Sequence, residues 1–323
     1  MHVPDGLMDP IVALVGTVEF LVVVAVALAL SARKTGEKDL PRVAVLCAGI
    51  FVAQMLNFPI GGGTTGHLIG AALLAIMIGP TLAILGMTVV LIIQALMFGD
   101  GGVTALGLNG LNMAIIAPLV GWGVYNLVKP ITKGLSRTGD SVAVGIAAWA
   151  SVFVSAAACA AELAVSYAIS DGAYGIAGAF AVPAMLGYHL VIGIGEAVIT
   201  VGVIAYVSKV SPGALRRAAV TKSAKGWLSN ITSSKVALAS SAILLVFALA
   251  LPLYFLYSSE GSDGLEQTMV DAEVEERDQI LSAPFSYGES YFAALFAGLL
   301  GFLAVALVAL GILKALGRGP AGN

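Results

Sequence analysis

Long apolar runs, separated by short polar intervals, fill most of this chain. The runs lie at roughly 10–31, 43–57, 67–79, 80–98, 109–128, 141–169, 184–207, 236–257 and 288–314. A helix needs about twenty apolar residues to cross a bilayer, so the pattern predicts an all-α integral membrane protein with about nine transmembrane helices. One division needs an argument. Residues 67–98 as a single helix would be about 48 Å long against a hydrocarbon core of about 30 Å. Gly79-Pro80 offers a break, and the expectation is two spans.

Composition agrees with the pattern. Hydrophobic residues make up 59% of the 323 and charged residues only 11%, whereas soluble domains carry about 25% charge. Cys47 and Cys159 both sit inside apolar runs without CxxC spacing, which fits core residues better than a disulfide or a metal site. Residues 1–9 hold Asp5 and Asp9 but no Lys or Arg. A signal peptide needs a basic region there, so Met1 is read as the mature terminus with a free amine.

Charge sets the expected topology. With the break counted as a reversal, the connections after the first, fifth and seventh spans share one side with the C-terminal tail. That side holds 15 of the 16 basic residues, and only Arg277 lies opposite. The positive-inside rule makes it the cytoplasmic face of the cell membrane, with the N-terminus outside and the C-terminus inside. The chain then divides into a seven-span part (1–210), a polar cytoplasmic connector (211–235) and a two-span part (236–323). The outer loop of the last part, 258–289, carries nine acids against one arginine, a net charge of −8. Such a loop either collects cations or is simply solvated. No internal repeat is visible.

The candidate chemistry lies in the three histidines. His2, His67 and His189 all fall at or near the predicted outer face. Position 2 is special: the Met1 amine, the deprotonated backbone nitrogen of His2 and its Nδ1 can hold one ion through a five- and a six-membered ring in one plane. His67 can fill the fourth corner. Four nitrogens in a square suit Ni(II), Cu(II) or low-spin Co(II), while zinc prefers a tetrahedron. The alternative is a solvated histidine at a frayed terminus. Before His67 runs NFPIGGGTTG, whose Gly61, Gly62, Gly63 and Gly66 permit either close approach to a ligand or a plain flexible turn. Glu19, Glu162 and Glu196 are ionisable groups inside apolar runs, a functional hint by default. His189 and Glu196 are two helical turns apart and share a face. His189 could be an accessory ligand, or a structural hydrogen bonder like the three acids. Gln94, Asp100, Asn109 and Asn112 surround the FGDGG loop, where they orient the His67 loop or satisfy backbone. Ala44 and Ala48 allow close helix contact.

These residues carry a resemblance. MHVPDGLMDP, NFPIGGGTTGHLIGAALLAIMIGP, VLIIQALMFGDGGVTALGLNGLNM and HLVIGIGEAVIT resemble, in order, the CbiM/NikM family of substrate-specific (S) components of cobalt and nickel energy-coupling factor (ECF) transporters. The resemblance covers roughly residues 1–210 and implies a seven-helix S-component bundle with its N-terminus tucked in. It places ligands on the Met1 amine, the His2 amide and imidazole, and His67. Residues 236–323 resemble the small N component of these systems. GSDGLEQT (261–268) is similar to its PDGLE motif, with Ser262 where the motif has Pro, and that association leans towards nickel over cobalt. The resemblance further implies a transmembrane coupling (T) protein, docked on the helix face of Ala44 and Ala48, and separate ATP-binding cassette ATPase subunits. The chain itself has no Walker A sequence. The expected substrate is Ni2+ or Co2+, with no organic cofactor, no nucleic-acid partner and no enzyme activity. Two rivals remain: an intramembrane metalloenzyme, for which there is no HExxH, and a proton- or sodium-coupled carrier using Glu19, Glu162 and Glu196.

Overall fold

The computed structural model describes residues 1–32, 40–61, 63–132, 137–210, 234–258 and 261–317. After an irregular segment 1–9, helix α1 (Pro10–Ala32) is followed by α2 (Leu40–Gln54) and a hairpin of strands β1 (Asn57–Gly61) and β2 (Thr64–His67). Helices α3 (Ala71–Ile78), α4 (Pro80–Ile93), α5 (Leu106–Asn109) and α6 (Ala117–Thr132) come next, then α7 (Arg137–Ile169) and α8 (Gly178–Val210). Helices α9 (Ser234–Tyr257), α10 (Gly264–Asp271) and α11 (Tyr291–Gly317) complete the chain. The expected all-α membrane fold is present. Among the described residues, seven helices are long and apolar enough to span a membrane.

The third predicted span is where pattern and structure differ. Instead of a helix from 67 to 79, His67 ends strand β2, and α3 has only eight residues, about 12 Å and too short to cross unaided. β-Branched Thr64 and Thr65 favour an extended chain, and they pair antiparallel with Asn57–Gly61. Helix α2, at 15 residues, is also short. The break at Gly79-Pro80 stands: Gly79 has φ 84° and Pro80 opens α4, where its missing N–H costs nothing. Residues 94–98 and 110–116 are π-helical, and the second segment runs from α5 into α6. Arg33, Lys34, Lys38, Lys133, Arg216, Arg217, Lys222, Lys225 and Arg318, whose charge sets the expected topology, lie outside the described residues.

Helices α7 and α8 pack along each other, α6 lies on α7 and α3, and α4 contacts α1, α3 and α11. Both C-terminal long helices rest on α2. There Gly301 of α11 leaves room that a Cβ would take from the Phe51 ring. Ala44 and Ala48 are buried within α2, so the close approach they permit is internal, not a face open to a partner. Helix α1 presents Leu14, Val18, Leu21 and Val22 outward, apolar side chains suited to lipid.

Candidate metal centre at the N-terminus

The first nine residues are held by contacts along their length. Asn109 grips Val3 from both sides: Val3 N donates to Asn109 Oδ1 at 2.8 Å, and Asn109 Nδ2 donates to the Val3 carbonyl at 3.1 Å. Gly102 N also donates to that carbonyl at 2.8 Å. Asp5 Oδ1 accepts from the Thr104 N–H and hydroxyl at 2.8 and 2.7 Å, and its Oδ2 from Ile280 N at 3.1 Å. Gly175 N donates to Leu7 O, and Asp9 Oδ1 caps α1 through Ile11 N. Gly102 is where the chains come closest, since a Cβ there would strike the backbone of Pro4 and Asp5. This approach accounts for the last glycine of FGDGG.

His67 is fixed by the turn that follows it. Glu196, from α8, accepts from Ile69 N and Gly70 N at 2.7 and 2.8 Å, and Gln54 Nε2 donates to Ile69 O at 2.7 Å. Gly70, at φ 72°, takes the left-handed turn that starts α3. His67 Nδ1 lies 3.0 Å from the Leu68 carbonyl. A carbonyl only accepts, so Nδ1 carries the ring hydrogen and Nε2 presents a lone pair.

That lone pair faces the terminus. The Met1 amine lies 3.2 Å from His67 Nε2 and donates to Asp263 Oδ2 at 2.7 Å. The His2 and His67 rings stack with centroids 5.0 Å apart. His2 Nδ1 faces Asp100 Oδ1 at 3.1 Å, and Asp100 in turn accepts from the Tyr287 hydroxyl at 2.7 Å. His2 Nε2 is buried without a hydrogen-bond partner. Burial opposes charge on the Met1 amine, but the Asp263 carboxylate outweighs it and raises the amine above its ordinary value. Burial likewise favours a neutral Asp263, yet the positively charged amine holds its carboxyl well below the usual range. Burial pushes the His2 imidazole down to about 4 despite Asp100, so the ring is neutral at ordinary pH. A cavity of about 10 Å3 is bounded by Met1, His67, His189 and Asp263, with Val152 and Ile192 on its apolar side. It has room for one small guest without its hydration shell.

Residues 2–214 match the CbiM family, described as the cobalt uptake substrate-specific transmembrane region. The chain belongs to the CbiM family. Among relatives, a Haloquadratum walsbyi chain named for metal transport is 41% identical over 212 residues, 66% of this chain and 92% of that one. The fused nickel transport protein NikMN of Rhodobacter capsulatus is 36% identical over 224 residues, 66% of this chain and 63% of that one. A crystal structure of a truncated transition metal transporter superposes with a TM-score of 0.58 at 38% identity, covering 65% of this chain and 99% of that one.

Within this CbiM chain the other predicted site residues separate. Asp100 and Asn109 do touch the N-terminal segment. His189 lines the cavity, with Nδ1 2.8 Å from the Met185 carbonyl. Glu196 acts on the backbone after His67, not on the cavity. Asn112 instead donates to Glu162 Oε2 at 2.7 Å, and Glu19 is exposed on α1. Three residues were missed. Gly102 and Tyr287 are described above; Asp263 belongs to the SDGLE segment, whose sequence did carry a signal. Asp263 caps α10 through Leu265 N and Glu266 N, Glu266 returns the bond to Asp263 N, and Gly264 lies where a Cβ would meet His189 Cε1 at 2.8 Å. Among the described residues, no three His, Cys, Asp or Glu side chains converge as a metal site would need.

Proposed function

We propose that this cobalt/nickel transport component captures the ion for an ATP-driven ECF-type importer, with nickel the favoured cargo. Capture takes place at the outer face, in a square of four nitrogens: the Met1 amine, the His2 amide, His2 Nδ1 and His67 Nε2. The observation that carries this reading is the approach of the Met1 amine to His67 Nε2 at 3.2 Å. Metal–nitrogen bonds of about 2.0 Å place neighbouring corners of a square about 2.8 Å apart, so a small inward movement closes that edge. Two adjustments accompany binding. The amine and the His2 amide each surrender a proton, as ligation requires, and the His2 ring turns Nδ1 away from Asp100. The stack of the two rings keeps His2 beside the fourth corner while it turns.

Transport then needs partners. In this reading a T protein and ATPase subunits engage the chain from the cytoplasmic side, where its basic connections lie, and drive the loaded site inward. The two-span part, 236–323, works as an N-like module attached to the seven-span S component. Nickel uptake by cells expressing the chain with these partners is expected to survive a proton ionophore and to stop when the ATPase subunits are removed. Uptake that is lost to the ionophore and persists without the ATPases overturns the proposal in favour of a proton-coupled carrier.

A further inference from the structure

The mechanism above leaves one buried carboxylate without a task. Asp263 comes from the C-terminal part of the chain, 262 residues from the terminus that it touches. The segment carrying it is docked on the hairpin: Thr65 N donates to the Ser262 carbonyl at 2.8 Å, and the Thr65 hydroxyl to the Gly261 carbonyl at 2.9 Å. The two carboxylate oxygens divide their work. Oδ1 accepts from Leu265 N at 2.7 Å and Glu266 N at 2.9 Å, and Oδ2 accepts from the Met1 amine at 2.7 Å. Leu265 is fully buried beside it, so the helix cap fixes where Oδ2 points.

We infer that Asp263 is a positioning residue of the metal centre, through which the C-terminal module orients the Met1 amine and balances the charge of the bound ion. This assignment rests on the nitrogen site proposed above. An amine bound to a metal keeps two hydrogens. One stays on Asp263 Oδ2, which fixes rotation about the N–Cα bond and directs the lone pair towards the centre of the square, beside His67 Nε2. The ligand set of amine, deprotonated amide and two neutral imidazoles carries one negative charge, which leaves a divalent ion with a net charge of +1 in a buried site. A charge there is costly unless paired, and Asp263 supplies the partner. Carboxylates that hold a metal ligand in place are worth about 10- to 100-fold in affinity.

Asp263→Asn and Asp263→Ser separate this role from capping, because Asn and Ser both cap helices well while neither brings a charge to the amine. Both purified full-length variants are expected to stay folded without metal, at a lower melting temperature because the buried amine loses its partner, and to bind nickel at least tenfold more weakly than the parent with a changed d–d absorption spectrum. Asp271→Asn, on the same helix but bonded to Tyr188 and Gln267, is expected to bind as the parent does. Parental affinity and spectrum in both Asp263 variants, with binding lost in His67→Ala, overturns the assignment and leaves the nitrogen site standing. Undiminished binding in His67→Ala overturns the nitrogen site itself.

Discussion

Replacing His67 with alanine is expected to abolish stoichiometric nickel binding and to leave the metal-free protein folded. Even groups that merely orient a metal ligand cost about 10- to 100-fold when removed, so loss of a corner nitrogen costs on the order of 100-fold or more. The fold survives because the main chain, not the imidazole, holds this region. Asn57 pairs with residue 67 in the hairpin, and Glu196 and Gln54 hold the turn through Ile69 and Gly70. His2→Ala has the same outcome by another route: it removes the six-membered chelate ring and leaves Val3 in the grip of Asn109. Isothermal titration with nickel, beside a melting curve of each variant, checks both. Stoichiometric tight binding by either variant sinks the square of nitrogens.

The second large effect comes from a residue that touches no metal. Gly102→Val is expected to remove nickel binding as thoroughly as His67→Ala, because it evicts the whole N-terminal segment. A Cβ at Gly102 meets the Pro4 carbonyl carbon and the Asp5 N–H, and backbone cannot step aside as a flexible side chain can. Val3 would lose its bond from Gly102 N and Asp5 its bonds to Thr104. Three of the four proposed donors sit on residues 1 and 2, so one displacement removes all of them. Buried groups left unpaired cost about 1–3 kcal/mol each, and the melting temperature falls as well. Gly123→Ala is the control: a Cβ at Gly123 has nothing within 4 Å, and a helical alanine is favoured over glycine by about 1 kcal/mol. Nickel titrations of the two variants decide the matter. Parental binding by Gly102→Val would mean that the tucked segment does not make the site.

Much of this architecture was legible along the chain, for reasons that individual residues explain. Helices α1, α9 and α11 follow directly from apolar runs of bilayer length, and Gly79-Pro80 marked its own break. The hairpin did not announce itself. Its four-residue strand TTGH is too short for an alternating pattern and is continuous with the apolar run of α3. In the site, His2 and His67 stood out because histidine is scarce and position 2 has chelating chemistry. Asn109 and Asp100 were visible only as neighbours of a glycine-rich loop, with no sign of which chain they would hold. Glu196 pointed to an intramembrane function, yet its partners are backbone N–H groups, which leave no trace in sequence spacing. Asp263 was hidden by distance. SDGLE can be read as a capping box, but nothing local indicates that its second carboxylate oxygen meets residue 1.

The amine of Met1 is itself a ligand in this reading, and a two-residue extension tests it, because a single added residue would build a new amine–amide–amide–imidazole chelate on His2. The measurement is equilibrium nickel binding by the protein carrying two alanines before Met1, titrated beside the parent and His67→Ala. The account predicts that the extended protein loses tight binding as completely as His67→Ala, because an amide then replaces the amine. Stoichiometric binding with the parent's affinity and absorption spectrum would contradict it.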